Sequence, residues 1–269
     1  MEGWQDMDGA TLDVAYANAD HIPGAAAFLT RWPARAAAFR ASIGARGRLG
    51  LPYGPAPRAQ FDLFLPEGAP AGVVVFVHGG YWRRFDRTDW SHLAAGPLAR
   101  GWAVALPGYA LAPQARIAEI TRQVARAVDA IAAQVPGPMR LTGHSAGGHL
   151  VARMVMPDAG PACYDRIVAC LPISPVAELG PLIPQAMNAD LRLDPAEAAA
   201  ESPARGRPRA GPRISIHVGA DERPAFLWQA ARLGDAWDAP VHVAPGRHHF
   251  DVIDDLSRPD SGLVDDLLA

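Results

Sequence analysis

Short apolar runs recur along most of the 269-residue chain, and this rhythm constrains the fold more than any other feature. The strand-like runs cover residues 60–66, 72–78, 102–107, 139–143, 167–174, 213–219 and 240–246. Most of them precede a helical stretch, and the clearest helix, over residues 116–135, carries one apolar face with a period of about 3.6 residues. Alternating strands and helices predict an α/β fold with a mostly parallel central sheet and helices on both faces.

The length and composition predict a single α/β domain over residues 1–269, with 49% hydrophobic residues to fill its core. Two segments interrupt the rhythm of strands and helices. We expect residues 11–43 to form a small helical cap and residues 176–209 to form a lid. In parallel sheets ligands bind beyond the carboxyl ends of the strands, so chemistry is expected just after each strand.

Charge and hydropathy limit the partners of the chain. The formal net charge is −3 and no basic run lies near an aromatic cluster, so there is no electrostatic reason to bind nucleic acid or an anionic membrane. The longest apolar stretch, VVVFV, is too short to span a bilayer, and the N-terminus lacks the features of a signal peptide. We expect a cytoplasmic protein that acts on a small molecule, and the sequence leaves a homodimer open.

All 25 basic residues are arginine. Schiff-base, pyridoxal phosphate and Walker A chemistry each need a lysine amine, so these enzyme classes are excluded. The cluster of His248, His249 and Asp251 lacks a further ligand at a spacing typical of metal sites. We therefore expect neither a metal nor a cofactor.

The segment GHSAG, residues 143–147, matches the pattern G-x-S-x-G directly after a strand-like run and before a helical stretch. In this context Ser145 is expected on a tight turn that holds its hydroxyl at the top edge of the sheet. Such a turn brings strand and helix close together and leaves no room for large flanking side chains. The glycines therefore predict an exposed serine nucleophile.

A serine hydroxyl needs a base to take its proton and an acid to orient that base. Both follow Ser145 along the chain at the ends of later strands. His248 and His249 are the candidate bases, and Asp221 and Glu222 are the candidate acids. Glu222 is favoured because it lies three residues beyond Gly219, a spacing suited to a turn that brings the carboxylate back towards the histidine.

An oxyanion hole is predicted where the run VVVFV ends in HGGYW, residues 78–82. The glycines let the backbone approach a substrate oxygen, and the expected donors are the amides of Gly80, Tyr81 and Ala146. Trp82 is expected to contact the substrate. Tyr81, Trp90 and Tyr109 also follow strand ends and are further candidates for an aromatic pocket, with core packing the alternative for Trp90.

The motifs HGGYW, GHSAGGH, GADERPAF and HHF together resemble the kynurenine formamidase (arylformamidase) branch of the α/β hydrolases, close to the hormone-sensitive-lipase-like esterases. The resemblance implies Ser145 as the nucleophile, Glu222 at the acid position and His249 as the base. It also implies hydrolysis of N-formyl-L-kynurenine and of small aryl esters. The glutamate departs from the aspartate usual in the eukaryotic enzymes.

We therefore expect a serine hydrolase that removes a small acyl group, formyl or acetyl, from an aromatic amide or ester. One alternative is a general short-chain carboxylesterase. The other is a non-catalytic binding module with a hydrolase fold.

Overall fold

The computed structural model describes residues 3–269, so Met1 and Glu2, which the predicted domain includes, lie outside the described residues. The strands of that part of the chain are β1 (Gly47–Pro52), β2 (Gln60–Phe64), β3 (Val73–Val77), β4 (Ala103–Pro107), β5 (Met139–His144), β6 (Ile167–Ile173), β7 (Arg213–Ile214), β8 (Ile216–Gly219) and β9 (Val241–Ala244). Its α-helices are α1 (Gly9–Tyr16), α2 (Ala25–Ile43), α3 (Ala95–Ala99), α4 (Ile117–Gln134), α5 (Ala146–Met154), α6 (Asn188–Leu191), α7 (Pro195–Glu201), α8 (Pro224–Trp237) and α9 (Gly262–Leu268).

All the described strands form one sheet in the order β1-β2-β4-β3-β5-β6-β8-β9, with β7 paired to β6. The pairs β1·β2 and β2·β4 are antiparallel, and all the others are parallel. The predicted fold class, a mostly parallel sheet between helices, is therefore confirmed.

Each apolar run that predicted a strand does contain one. The run over 213–219 is divided at Ser215 into two strands, β7 and β8. Strand β1 was not predicted. It is an antiparallel edge strand with a mixed burial pattern and a bulge between Arg48 and Leu51, so its sequence lacks the apolar run that indicates a buried strand.

Strand β3 shows how the sheet divides the core into two layers. Val73, Val75 and Val77 pack in one apolar cluster with α4, α5 and α8. Val74 and Phe76 pack in a second cluster with α2, α3 and α9. Because successive side chains of a strand point to opposite faces, a continuous apolar run fills both layers.

Helix α4 forms almost as predicted, at Ile117–Gln134 instead of 116–135. Its apolar stripe is fully buried at Ile117, Ile120, Val124, Val128 and Ile131. An amphipathic helix of this kind is stabilised mainly by packing this stripe against the sheet.

The two segments that interrupt the rhythm lie outside the sheet. Residues 11–43 hold most of α1 and all of α2, and residues 176–209 hold α6 and α7. Helix α1 contacts α8, whereas α7 contacts α4. None of the helices in residues 3–269 has the length and apolar character needed to cross a membrane.

Candidate active site

Ser145 occupies the sharp turn between β5 and α5. Its φ is +57°, in the left-handed region that residues other than glycine seldom adopt. The turn is held because the Ser145 amide donates to the Ile173 carbonyl at 2.9 Å and the Ser145 carbonyl accepts from the His149 amide at 3.0 Å. Backbone strain of this kind is typical of functional positions.

The glycines beside Ser145 are required by close backbone contacts. A Cβ on Gly147 would collide with the carbonyl oxygen of Val77, and one on Gly143 would collide with the backbone of Gly147. Gly79, on the neighbouring loop, would place a Cβ 3.1 Å from that of Ser145. Strand, turn and loop can approach one another only because these positions lack side chains.

Glu222 and His249 form a buried pair at the ends of β8 and β9. Oε2 of Glu222 lies 2.5 Å from Nδ1 of His249, and both side chains are almost fully buried. The other oxygen, Oε1, accepts from the Gly219 amide at 2.8 Å and from the Ser174 hydroxyl. The carboxylate is thus held from both sides and can orient the imidazole.

The competing candidates lie apart from this pair. Asp221 is exposed to solvent, although it is adjacent to Glu222. The Nδ1 atom of His248 accepts from the Phe250 amide at 3.1 Å, and its ring packs edge-on against Phe28. The structure therefore brings Glu222 and His249 together and keeps Asp221 and His248 away from this pair.

Ser145 and His249 line the same cavity. No hydrogen bond joins their side chains in the described part of the chain. In free enzymes such contacts are often long and tighten only when substrate binds. The ring of His249 is fixed by Phe226 at 4.2 Å and by His144 at 4.6 Å between ring centroids.

Gly80 and Tyr81, two of the three predicted oxyanion donors, line the cavity with Ser145, and the third, Ala146, follows Ser145 in the chain. Gly80 and Tyr81 have φ values of +107° and +51° and line the cavity, and within residues 3–269 their amides donate to no protein acceptor. Ala146 is the first residue of α5, so its amide has no acceptor inside the helix. The Tyr81 hydroxyl donates to the Tyr16 carbonyl at 2.8 Å, which ties the loop to α1.

The expectation that Trp82 contacts the substrate is wrong for this structure. Its side chain is fully buried and is not part of the cavity wall formed by the described residues. The indole packs edge-on against His149, with 5.0 Å between ring centroids. With φ at +55°, the backbone at Trp82 is left-handed like that at Tyr81, and the indole lies in the core.

The cavity beside Ser145 has a volume of about 740 Å³. Much of its wall is aromatic and comes from Tyr16, Trp32, Phe85, Trp90 and Phe250. The predicted cap supplies Tyr16 and Trp32, whereas the predicted lid contributes only its Ala186–Met187 edge. Of these five residues, only Trp90 was a candidate for the pocket from the sequence.

Ser174 was also missed by the sequence analysis. It is the residue directly after β6, at the sheet edge where chemistry was expected. Its position could therefore have identified it, but a lone serine after a strand carries no motif.

A second cluster of polar side chains, His217, His242 and Asp266, lies on β8, β9 and α9, with its ligand atoms within 4.8 Å of one another. The Asp266 carboxylate is already bonded to Arg213, Ser215 and His217. Burial alone would raise the pKa of Asp266, but these partners outweigh it and lower the pKa to about 2. We interpret this cluster as an anchor that holds α9 on the sheet.

The chain is similar to known proteins over most of its length. A family model described as alpha/beta hydrolase fold matches residues 74–227. The kynurenine formamidase of Danio rerio is 27% identical over 95% of this chain and 94% of its own, and that of Salmo salar is 25% identical over 82% and 80%. The predicted resemblance to kynurenine formamidases is thereby confirmed.

Solved structures give the same fold. A protein from Silicibacter sp. TM1040, named provisionally as a thioesterase, is 51% identical with a TM-score of 0.94, over 96% of this chain and 99% of its own. Esterase B of Lactobacillus rhamnosis is 19% identical with a TM-score of 0.66, over 96% and 93%, and shows likeness of fold alone.

Proposed function

Because the chain belongs to the alpha/beta hydrolase fold family, we propose that it is a serine hydrolase that removes a formyl or acetyl group from an aromatic amide or ester. The observation that carries this proposal is the buried contact of 2.5 Å between Glu222 and His249, on the cavity that Ser145 also lines. A base fixed by a carboxylate beside a strained serine is the arrangement that acyl transfer needs.

In the first half of the proposed reaction His249 takes the proton of Ser145 while Oγ attacks the substrate carbonyl carbon. The negative charge that develops on the carbonyl oxygen is stabilised by the amides of Gly80, Tyr81 and Ala146. The imidazolium, stabilised by Glu222, then gives its proton to the leaving nitrogen or oxygen as the bond to the acyl carbon breaks.

In the second half water attacks the acyl group on Ser145. His249 takes a proton from the water and then returns one to Oγ as the acid product leaves. Every step uses groups of this chain, the substrate and water. The aromatic wall of the cavity suits a planar leaving group, because rings gain from edge-on and stacked contacts.

Relatives support the substrate class. The relative from Danio rerio, similar over nearly its whole length, bears the name kynurenine formamidase. This name and the aromatic cavity together favour an aryl formamide. The expected cytoplasmic location and the expected lack of a nucleic-acid partner stay predictions.

A second candidate is the cleavage of short-chain oxygen or sulfur esters. It is favoured by the 51% identity to the Silicibacter protein that is named provisionally as a thioesterase. The two candidates share the acyl-enzyme chemistry. The first is restricted to formyl or acetyl groups on an aromatic leaving group, whereas the second is not restricted to an aromatic leaving group.

Initial rates on N-formyl-L-kynurenine, p-nitrophenyl acetate and an acetyl thioester test both candidates, with the Ser145→Ala variant measured in parallel. We expect the highest kcat/KM on the formamide, and loss of at least about 10³-fold on every substrate in the variant. A faster thioester reaction selects the second candidate. If Ser145→Ala keeps the wild-type rates, or if a fluorophosphonate probe fails to label wild-type Ser145, the serine mechanism is wrong.

A further inference from the structure

We propose that Ser174 is a positioning residue, whose hydroxyl holds the Glu222 carboxylate in the orientation that lets it orient His249. This inference rests on the proposed function, because it concerns the same acid and base. Ser174 touches neither the cavity nor a reacting atom in the described structure, so it acts through Glu222.

The position of Ser174 is fixed by the sheet. It follows β6 directly, is fully buried, and its amide donates to the His217 carbonyl of β8 at 2.7 Å. Its φ is +47°, a left-handed conformation that costs energy for any residue with a Cβ. Ser174 is therefore both strained and fully buried, and its hydroxyl donates to one acceptor, Oε1 of Glu222.

Each oxygen of the Glu222 carboxylate has a separate set of contacts. Oε1 accepts from the Ser174 hydroxyl and from the Gly219 amide at 2.8 Å, whereas Oε2 faces Nδ1 of His249 at 2.5 Å. Two donors that converge on Oε1 from different strands fix the rotation of the carboxylate about its last bond. That rotation decides whether Oε2 points at His249.

The burial of Glu222 increases the importance of the hydrogen bonds to its carboxylate. The Glu222 side chain is 0% exposed, and a carboxylate removed from water is costly unless hydrogen bonds replace its hydration. Without the Ser174 hydroxyl only the Gly219 amide would remain on Oε1 among the described residues, and the carboxylate could tilt towards other donors. We therefore expect the loss of Ser174 to disturb the orientation of His249.

Two variants separate the hydroxyl from the backbone strain. Ser174→Ala removes the hydroxyl and keeps the left-handed backbone under strain. Ser174→Gly also removes the hydroxyl but adopts that backbone readily, so it folds even if the alanine variant does not. With p-nitrophenyl acetate both variants should lower kcat about 10-fold, with KM within twofold of wild type, as expected for a lost hydrogen bond to a charged group.

Ser215, which lies between β7 and β8, provides a matched control. The buried Ser215 hydroxyl also donates to a carboxylate, that of Asp266, at 2.6 Å. Ser215→Ala removes the same kind of hydrogen bond away from the proposed site and should leave kcat unchanged.

A double-mutant cycle tests whether Ser174 acts through Glu222. In a Glu222→Gln background the charge that Ser174 holds is gone, so adding Ser174→Ala should lower kcat less than twofold. The inference is overturned if both Ser174 variants keep the wild-type kcat, or if Ser174→Ala lowers kcat equally in both backgrounds. A wild-type protein that neither turns over substrate nor reacts with a fluorophosphonate overturns the proposed function itself, and the inference with it.

Discussion

Nδ1 of His249 lies 2.5 Å from Oε2 of Glu222, although 27 positions separate the two residues along the chain. Glu222 follows β8 and His249 follows β9, and these strands are parallel neighbours with Gly219 opposite Ala244. Because the carboxyl ends of parallel strands lie at one edge of a sheet, the two loops meet there. Helix α8 spans the distance between them, as a parallel crossover requires.

The adjacent carboxylates Glu222 and Asp221 provide a matched test of the acid. Glu222→Gln keeps the shape of the side chain but removes the charge that stabilises the imidazolium, and we expect kcat to fall about 10² to 10⁴-fold. Asp221→Asn should change kcat less than twofold, because that side chain is exposed. Steady-state kinetics with p-nitrophenyl acetate measures both, and a larger loss in Asp221→Asn would show that Asp221, and not Glu222, is the acid.

The adjacent histidines His248 and His249 provide the same test of the base. His249→Ala removes the group that takes the serine proton and should lower kcat by at least about 10³-fold. It also leaves the buried Glu222 carboxylate without its partner, so the protein should be less stable as well. His248→Ala removes a contact with Phe28 and a bond from the Phe250 amide, so it should lower stability by about 1 kcal/mol and leave kcat within a few-fold. Kinetics and thermal unfolding of both variants distinguish them, and similar losses of kcat would contradict the assignment.

Gly147 should not tolerate a methyl group. Its Cβ would collide with the carbonyl oxygen of Val77, so Gly147→Ala should destabilise the protein by about 3 kcal/mol and displace Ser145. Gly262 is the control, since it begins α9 with no atom within 4 Å of its added Cβ and without a positive φ. Gly262→Ala should be neutral or stabilise by up to about 1 kcal/mol. Urea unfolding measures both, and equal stability of the two variants would refute the steric explanation.

Acid should destabilise the protein through its buried histidines. Burial lowers the pKa of His78 to about 4 and the pKa values of His92 and His149 to about 3. In the unfolded chain each binds its proton near pH 6.5. Below that pH the unfolded state therefore holds more protons, and stability falls by up to about 1.4 kcal/mol per pH unit for each group until the folded-state pKa is reached.

The contribution of His92 to this loss of stability can be tested separately. Neither of its ring nitrogens has a hydrogen-bond partner among the described residues, so His92→Leu breaks no hydrogen bond. We expect a shallower loss of stability between pH 6.5 and pH 4 in urea titrations of this variant. A wild-type stability that does not change between pH 7 and pH 5 would contradict the prediction.

The strand positions and the turn at Ser145 could be predicted because their signals are local. An apolar run such as 72–78 indicates a buried strand wherever it folds, and the glycines of residues 143–147 indicate a turn whose sterics involve near neighbours. Strand β1 escaped prediction because an edge strand needs no apolar run. Trp82 was expected to contact the substrate, but its side chain lies in the core. The residues beside it in the sequence do not indicate the left-handed backbone that accompanies this orientation.

The spacing from Gly219 favoured Glu222 and the resemblance implied His249, but neither observation shows the path of the folded backbone. Glu222 and Asp221, like His249 and His248, have the same neighbours in sequence, and only the path of each loop decides which side chain turns inward. Ser174 joins Glu222 across 48 positions, so no local pattern could connect them.

The sequence by itself determined the sheet, the nucleophile turn and the short set of residues able to do acyl transfer, because sterics and hydrophobic periodicity act between neighbours along the chain. The tertiary structure decided that Glu222 and His249, already favoured by the sequence and the family resemblance, meet as a buried pair. It also decided what holds the carboxylate, and that Trp32 of the distant helix α2 joins the wall of the cavity. These outcomes depend on contacts between segments far apart in sequence, and such contacts exist only once the sheet has brought the strand ends together.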